Sequence, residues 1–269
     1  MESQKVRRLI LFIGYCILYI PLICIVVYSF NESRFVNTWT GFSLKWYKKL
    51  ADNNIILLAT LNSFKIASIS ATLAVVLGTI SATIIERFNF RGKSLFLGMV
   101  TTPLVMPDVV IGISFLMLFV GIKNIFGISD ISGTMSVCIA HITLTLPYIT
   151  MLVSARMHNF DKSIEEAAMD LGAPPLTIFF VITLPMIMPS IILGWLLAFV
   201  LSLDDVVISS FVAGPGATTL PMVIFSSLRF GISPEINALA SILLLILTIG
   251  VIISCVFLYR KNAKFSNKE

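Results

Sequence analysis

The chain reads as an all-α polytopic membrane protein of six spans with both termini on the inner side. Three observations predict this. Apolar residues make up 57% of its 269 residues and charged residues 12%, a balance that excludes an ordinary soluble domain and a disordered chain. The apolar residues gather into runs long enough to cross ~30 Å of hydrocarbon, which takes about 20 helical residues. Lys and Arg concentrate on alternate connecting segments, the cue for the cytoplasmic side.

The runs are Leu9–Phe30, Leu61–Ile85, Leu95–Val120, Thr134–Ser154, Met186–Ile208 and Ala238–Tyr259. The first is too long for a cleavable signal, contains Pro21 and lacks a small-residue cleavage site. With the N-terminus inside, twelve Lys and Arg fall on inner segments and seven on outer ones. A net charge of +5 follows from this asymmetry and anchors helix ends at anionic headgroups. The basic residues are scattered over loops, so nucleic acid is not a partner. The four cysteines (Cys16, Cys24, Cys138, Cys255) lie inside apolar runs without metal spacing and read as buried thiols. No repeat or linker divides the chain, so residues 1–269 read as one transmembrane domain with its core at about 57–259.

Between the first two runs, Phe42, Leu44, Trp46, Tyr47 and Leu50 alternate with Lys45, Lys48 and Lys49. That pattern predicts a short interfacial helix with aromatics in the headgroup layer. The third run carries Pro103 and Pro107, which bracket an intramembrane turn before Asp108. Such a break requires protein or a wet cavity to satisfy the freed carbonyls. Met186–Pro189 reads as a bend that re-enters the membrane. Beyond the fifth run, Gly214-Pro215-Gly216 reads as a turn and Leu220–Arg229 as a short helix.

A different pattern fills the polar gap at residues 155–185. Ser163 and Glu166 have capping-box spacing. Ile164, Ala167, Ala168 and Leu171 fall at i, i+3, i+4 and i+7 on one apolar stripe. Gly172 is placed as a left-handed stop, and Pro174-Pro175 prevent continuation. A helix of about two and a half turns is not stable alone in water. Its stripe must pack on its own chain or fill a groove in a partner.

Within the apolar runs only three acidic residues occur: Asp108, Asp204 and Asp205. A carboxylate near the bilayer centre costs about 2.5–3.5 kcal/mol even on lenient scales. No Lys or Arg in the runs is placed to pair with them, so a cationic cargo could supply the missing charge. A diamine or polyamine, apolar in its stem and cationic at its ends, suits carboxylates flanked by aromatics such as Trp195 and Phe199. Two structural readings stand beside this one: Asp204-Asp205 solvated at the outer interface, and Asp108 capping the helix restarted after Pro107. His141 reads as a hydrogen-bonded bundle residue. An ion-coupled secondary transporter, with Asp108, Asp204, Asp205 and His141 as relay, is the alternative class, but it gives the short cytoplasmic helix no task.

The pattern E-A-A-x3-G-x9-I-x-L-P, from Glu166 to Pro185, resembles the signature loop of binding-protein-dependent ABC importer permeases. The segments Pro103–Asp108, Ser163–Gly172, Leu201–Asp205, Gly214–Pro221 and Ser233–Ala238 are similar to the polyamine branch of that family, putrescine importers first and spermidine/putrescine importers next. The resemblance implies a type I ABC importer permease fold in a bacterial inner membrane. It also implies a homologous second permease, two ATPase subunits and an extracytoplasmic polyamine-binding protein as partners. Residues 163–172 would be the helix that docks in the ATPase, through Ser163, Ile164, Glu166, Ala167, Ala168, Leu171 and Gly172. Asp108, Asp204, Asp205 and Trp195, with Glu235 of the Ser233–Ala238 segment, would lie on the substrate pathway. The same architecture moving another solute is the remaining alternative. The chain has no G-x-x-x-x-G-K-[ST] phosphate loop, so ATP and its magnesium would sit on the ATPase. The expectation is a non-catalytic subunit with no cofactor or metal of its own.

Overall fold

A computed structural model of the chain describes residues 2–35, 38–127, 133–161, 163–229, 234–246 and 248–249. Among the described residues there is no strand, only an isolated bridge between Asn31 and Phe42. The helices are α1 (Glu2–Tyr28), α2 (Lys45–Ala51), α3 (Asn54–Arg87), α4 (Lys93–Thr101), α5 (Asp108–Phe126), α6 (Thr134–His158), α7 (Ser163–Asp170), α8 (Pro175–Ile178), α9 (Leu184–Asp204), α10 (Val207–Val212) and α11 (Leu220–Arg229). A further apolar helix, α12, covers Pro234–Ile246. Among the described residues five helical stretches are long and apolar enough to cross a membrane: Gln4–Tyr28, Asn54–Arg87, Asp108–Phe126, Thr134–His158 and Pro175–Asp204. The expected sixth run begins in α12, and its end, 250–259, lies outside the described residues.

Contacts divide the chain into two compact units, Met1–Leu57 with Ser226–Glu269, and Leu58–Phe225. In the first, the Asn31 side chain binds the carbonyl of Thr38 (2.7 Å) and the N–H of Thr40 (3.1 Å). Trp46 Nε1 donates to the Asn31 carbonyl at 2.7 Å, and Lys45 Nζ lies 4.8 Å above the indole. The aromatics of α2 were expected in the headgroup layer. Trp46 is instead buried in the protein, because its one donor is used to close this loop.

In the second unit α6 is central. Ile149 is fully buried, between α3 and α9. A Cβ on Gly78 would stand 2.8 Å from Ile149 Cγ2, and one on Gly194 would stand 3.5 Å from its Cγ1. Small residues at such crossings let apolar helices approach where no hydrophobic drive operates. Gly78→Val is therefore expected to destabilise the bundle by about 1–3 kcal/mol through overpacking, read as a lower midpoint in thermal unfolding of the detergent-solubilised protein. An unchanged midpoint would contradict this packing.

Proline chemistry shapes two of the expected spans, one as expected and one not. The run Leu95–Val120 is broken where Pro103 and Pro107 bracket a turn: α4 passes into a 3₁₀ turn at Thr102–Leu104, and α5 starts only at Asp108. Pro107 is extended (φ −61°, ψ 139°), and a proline disfavours helical geometry in the residue before it. The run Met186–Ile208 has no re-entrant bend. Its helix begins at Pro175 and continues to Asp204 through a π-helical segment, Phe179–Thr183. Pro185 cannot bond the Val181 carbonyl and its ring crowds that group. The widened turn accommodates it without ending the helix.

Candidate functional site

The α7 helix is held at both ends. Asp161 accepts from the N–H of Ser163 at 3.0 Å and from its hydroxyl, which holds the Asp161 carboxyl below its ordinary range. This cap is present at neutral pH and is lost as pH falls through the depressed value. The capping box expected of Ser163 and Glu166 is not seen among the described residues. Ser163 is already helical, and Asp161 takes the acceptor role. At the other end Gly172 has φ +81°. Its N–H reaches the Met169 carbonyl and that of Ala173 reaches Ala168, at 2.8 and 3.0 Å. Those two bonds form a Schellman stop.

Among the described residues the apolar stripe is left largely uncovered. Leu171 is 90% exposed and Ile164 45%, Ala167 is exposed and Ala168 half-buried. Glu166 is exposed, while its neighbour Glu165 is buried, paired with Arg87 and accepting from Thr183 Oγ1 at 2.5 Å. Sequence reasoning missed Glu165. Its only signal was the basic turn after the second run, which holds Arg87.

A cavity of about 220 Å³ is lined by Asp108, Leu144, Tyr148, Leu201, Asp204, Asp205, Val206 and Val207. All three acids of the apolar runs thus meet at two interrupted helices, the start of α5 and the α9–α10 joint. Asp205 leaves the helical region (ψ 123°). Its carboxylate accepts from the N–H groups of Ile208 (3.1 Å) and Ser209 (2.7 Å), capping α10. His141 is fully buried, with Nε2 at 3.1 Å from Asp205 Oδ2 and Nδ1 at 2.6 Å from Ser202 Oγ. A carboxylate only accepts, so in the neutral ring Nε2 carries the proton and Nδ1 accepts from Ser202. Asp205 therefore has a partner that is neither Lys nor Arg, and it is not simply solvated. Asp108 and Asp204 are exposed, and among the described residues nothing bonds or pairs with either.

Two of the expected pathway residues do not line this cavity. Trp195 is nine residues before Asp204, and at ~100° per residue it points half a turn away. There it donates to Thr72 Oγ1 at 3.0 Å and stacks on Phe199 at 5.1 Å. Tyr148, not Trp195, is the aromatic beside the carboxylates. Glu235 belongs to the other unit, where it accepts from Asn53 at 2.7 Å and pairs with Lys49 at 3.2 Å.

The family model for the binding-protein-dependent transport system inner membrane component matches residues 74–264. The putrescine transport system permease protein PotI of Escherichia coli (strain K12) is 53% identical over 239 residues, 88% of this chain and 85% of PotI. The spermidine/putrescine transport system permease protein PotC of Haemophilus influenzae is 41% identical over 262 residues, 97% of this chain and 99% of PotC. A crystal structure of a bacterial ABC transporter that imports the acidic polysaccharide alginate superposes with a TM-score of 0.70. It is 15% identical in sequence and covers 95% of both chains, a likeness of fold. The chain therefore belongs to the family of binding-protein-dependent transport system inner membrane components.

Proposed function

We propose that the chain is a permease subunit of an ATP-driven importer and that it carries a polyamine, putrescine first and spermidine second. The observation that carries this reading is the pair of carboxylates, Asp108 and Asp204, unpartnered among the described residues and lining one cavity with Tyr148. Its volume lies below the ~300–1,000 Å³ of drug-sized sites, as suits a small cargo. Each carboxylate suits an ammonium end, and the Tyr148 ring suits a cation. The permeases PotI and PotC, named for putrescine and spermidine/putrescine transport, support the choice of cargo.

In this reading six spans place both termini and α7 in the cytoplasm of a bacterial inner membrane. The exposed stripe of α7 fills a cleft in one of two ATPase subunits. A homologous second permease completes the pore, and an extracytoplasmic binding protein delivers the polyamine. ATP, held with magnesium on the ATPases, draws the paired α7 helices together and turns the cavity outward. The ion-coupled alternative is disfavoured because His141 and Asp205 are committed to each other and to the cap of α10.

The test is radiolabelled putrescine uptake into proteoliposomes holding the chain with its partner permease and ATPase, ATP inside and binding protein outside. Uptake that requires ATP is the expected result. ATP hydrolysis without putrescine or spermidine uptake would overturn the cargo assignment.

A further inference from the structure

The docking face of α7 points outward, so its movement must reach the bundle through its inner face, and that face presents one buried charge. Glu165 is 6% exposed. Its Oε1 is shared by the guanidinium of Arg87, the last residue of α3, and the hydroxyl of Thr183, the last residue of the π-helical segment. Arg87 also lies 6.0 Å from the centre of the Phe160 ring, in the approach to α7. Three elements distant in sequence therefore meet at one carboxylate oxygen.

Burying a carboxylate is unfavourable unless it is paired and bonded, and such pairs are better attested as devices of registry than of stability. On a helix this short, Glu165 could stand in water as Glu166 does. Its burial orders α7 against two long helices. One of these is the stretch Pro175–Asp204, whose 30 residues span ~45 Å and end at the cavity carboxylate Asp204. π-helical turns insert a residue into the ladder and often mark sites where a helix adjusts. Here the inserted turn is tied to the docking helix by Thr183.

We propose that Glu165 is a positioning residue that transmits the movement of α7. Through Arg87 it moves α3, and through Thr183 it moves the helix that carries Asp204, so that ATP turnover and opening of the cavity stay coupled. This rests on the reading of α7 as the ATPase-docking helix.

The experiment measures putrescine uptake and ATP hydrolysis together in the reconstituted complex, reported as uptake per ATP, for Glu165→Gln, Arg87→Gln, the double variant and Thr183→Val. Glu165→Gln and Arg87→Gln are expected to keep the ATPase bound and hydrolysing while uptake per ATP falls about tenfold. The double variant is expected to be no worse than either single change, since the three groups act as one unit. Thr183→Val, which removes one hydroxyl and keeps the side-chain shape, is expected to lower the same ratio more mildly.

Uptake per ATP within about twofold of the unaltered complex in both Glu165→Gln and Thr183→Val, or losses that add in the double variant, would overturn the proposal. If Glu165→Gln does not assemble, the ratio measured for Thr183→Val decides alone. Failure of the docking reading is distinguishable, because it would appear as an ATPase that stays bound and coupled when Leu171 is changed to aspartate.

Discussion

Leu171→Asp is expected to release the ATPase from this subunit and to abolish ATP-dependent uptake. The side chain is 90% exposed at the last turn of α7, beside the left-handed Gly172, so the free chain gains nothing from its apolar surface. Burying a leucine in a partner's cleft contributes about 1.5–3 kcal/mol, and an aspartate there would add an unpaired buried charge. Together these weaken the contact by about a hundredfold or more. Leu171→Met keeps the apolar volume and is expected to stay within about twofold of the unaltered chain. Co-purification of the ATPase with the detergent-solubilised permease pair is the direct measurement, with uptake in proteoliposomes beside it. An aspartate variant that retains the ATPase and full uptake would refute the docking role of α7.

Neutralising the cavity is expected to have an effect of similar size at the other end of the bundle. Asp108→Asn and Asp204→Asn each remove a carboxylate that no described neighbour engages, so the fold has little to lose. If an ammonium end of the polyamine pairs with each, losing one desolvated charge pair costs about 2–5 kcal/mol, roughly thirtyfold and upward in transport efficiency. Hydrolysis and assembly should be preserved, because the outward stripe of α7 is untouched. Uptake at low putrescine separates the outcomes: a fall in both variants supports direct contact. Normal uptake with both carboxylates neutralised would mean that the cavity does not read the charge of its cargo.

Much of this architecture is legible in the sequence, because long apolar runs and prolines act locally. Pro107 stops helical geometry at Met106, and the break before Asp108 follows from that residue alone. Gly172 reads as a stop for the same reason. What eludes sequence reasoning depends on partners far along the chain. Helical periodicity marks the stripe of α7 but leaves open which way it faces. Arg87, seventy-eight residues away, draws Glu165 inside and leaves the stripe outward. The two aspartates at 204 and 205 are equivalent on paper. Only the helix break and the approach of His141 tell them apart. Trp195 suits a cation by composition, but its helical phase turns it away from Asp204, toward Thr72 and Phe199.

That inequality between neighbouring aspartates bears on how such a permease changes its preferences. One holds the joint between α9 and α10 together, and the other is spared that duty. If Asp204 meets the cargo as proposed, a single-codon change there retunes which molecules pass while the cap of α10 beside it stays whole. Drift in selectivity then need not cross a stage of misfolded protein, and diversification among related importers becomes mutationally accessible one residue at a time.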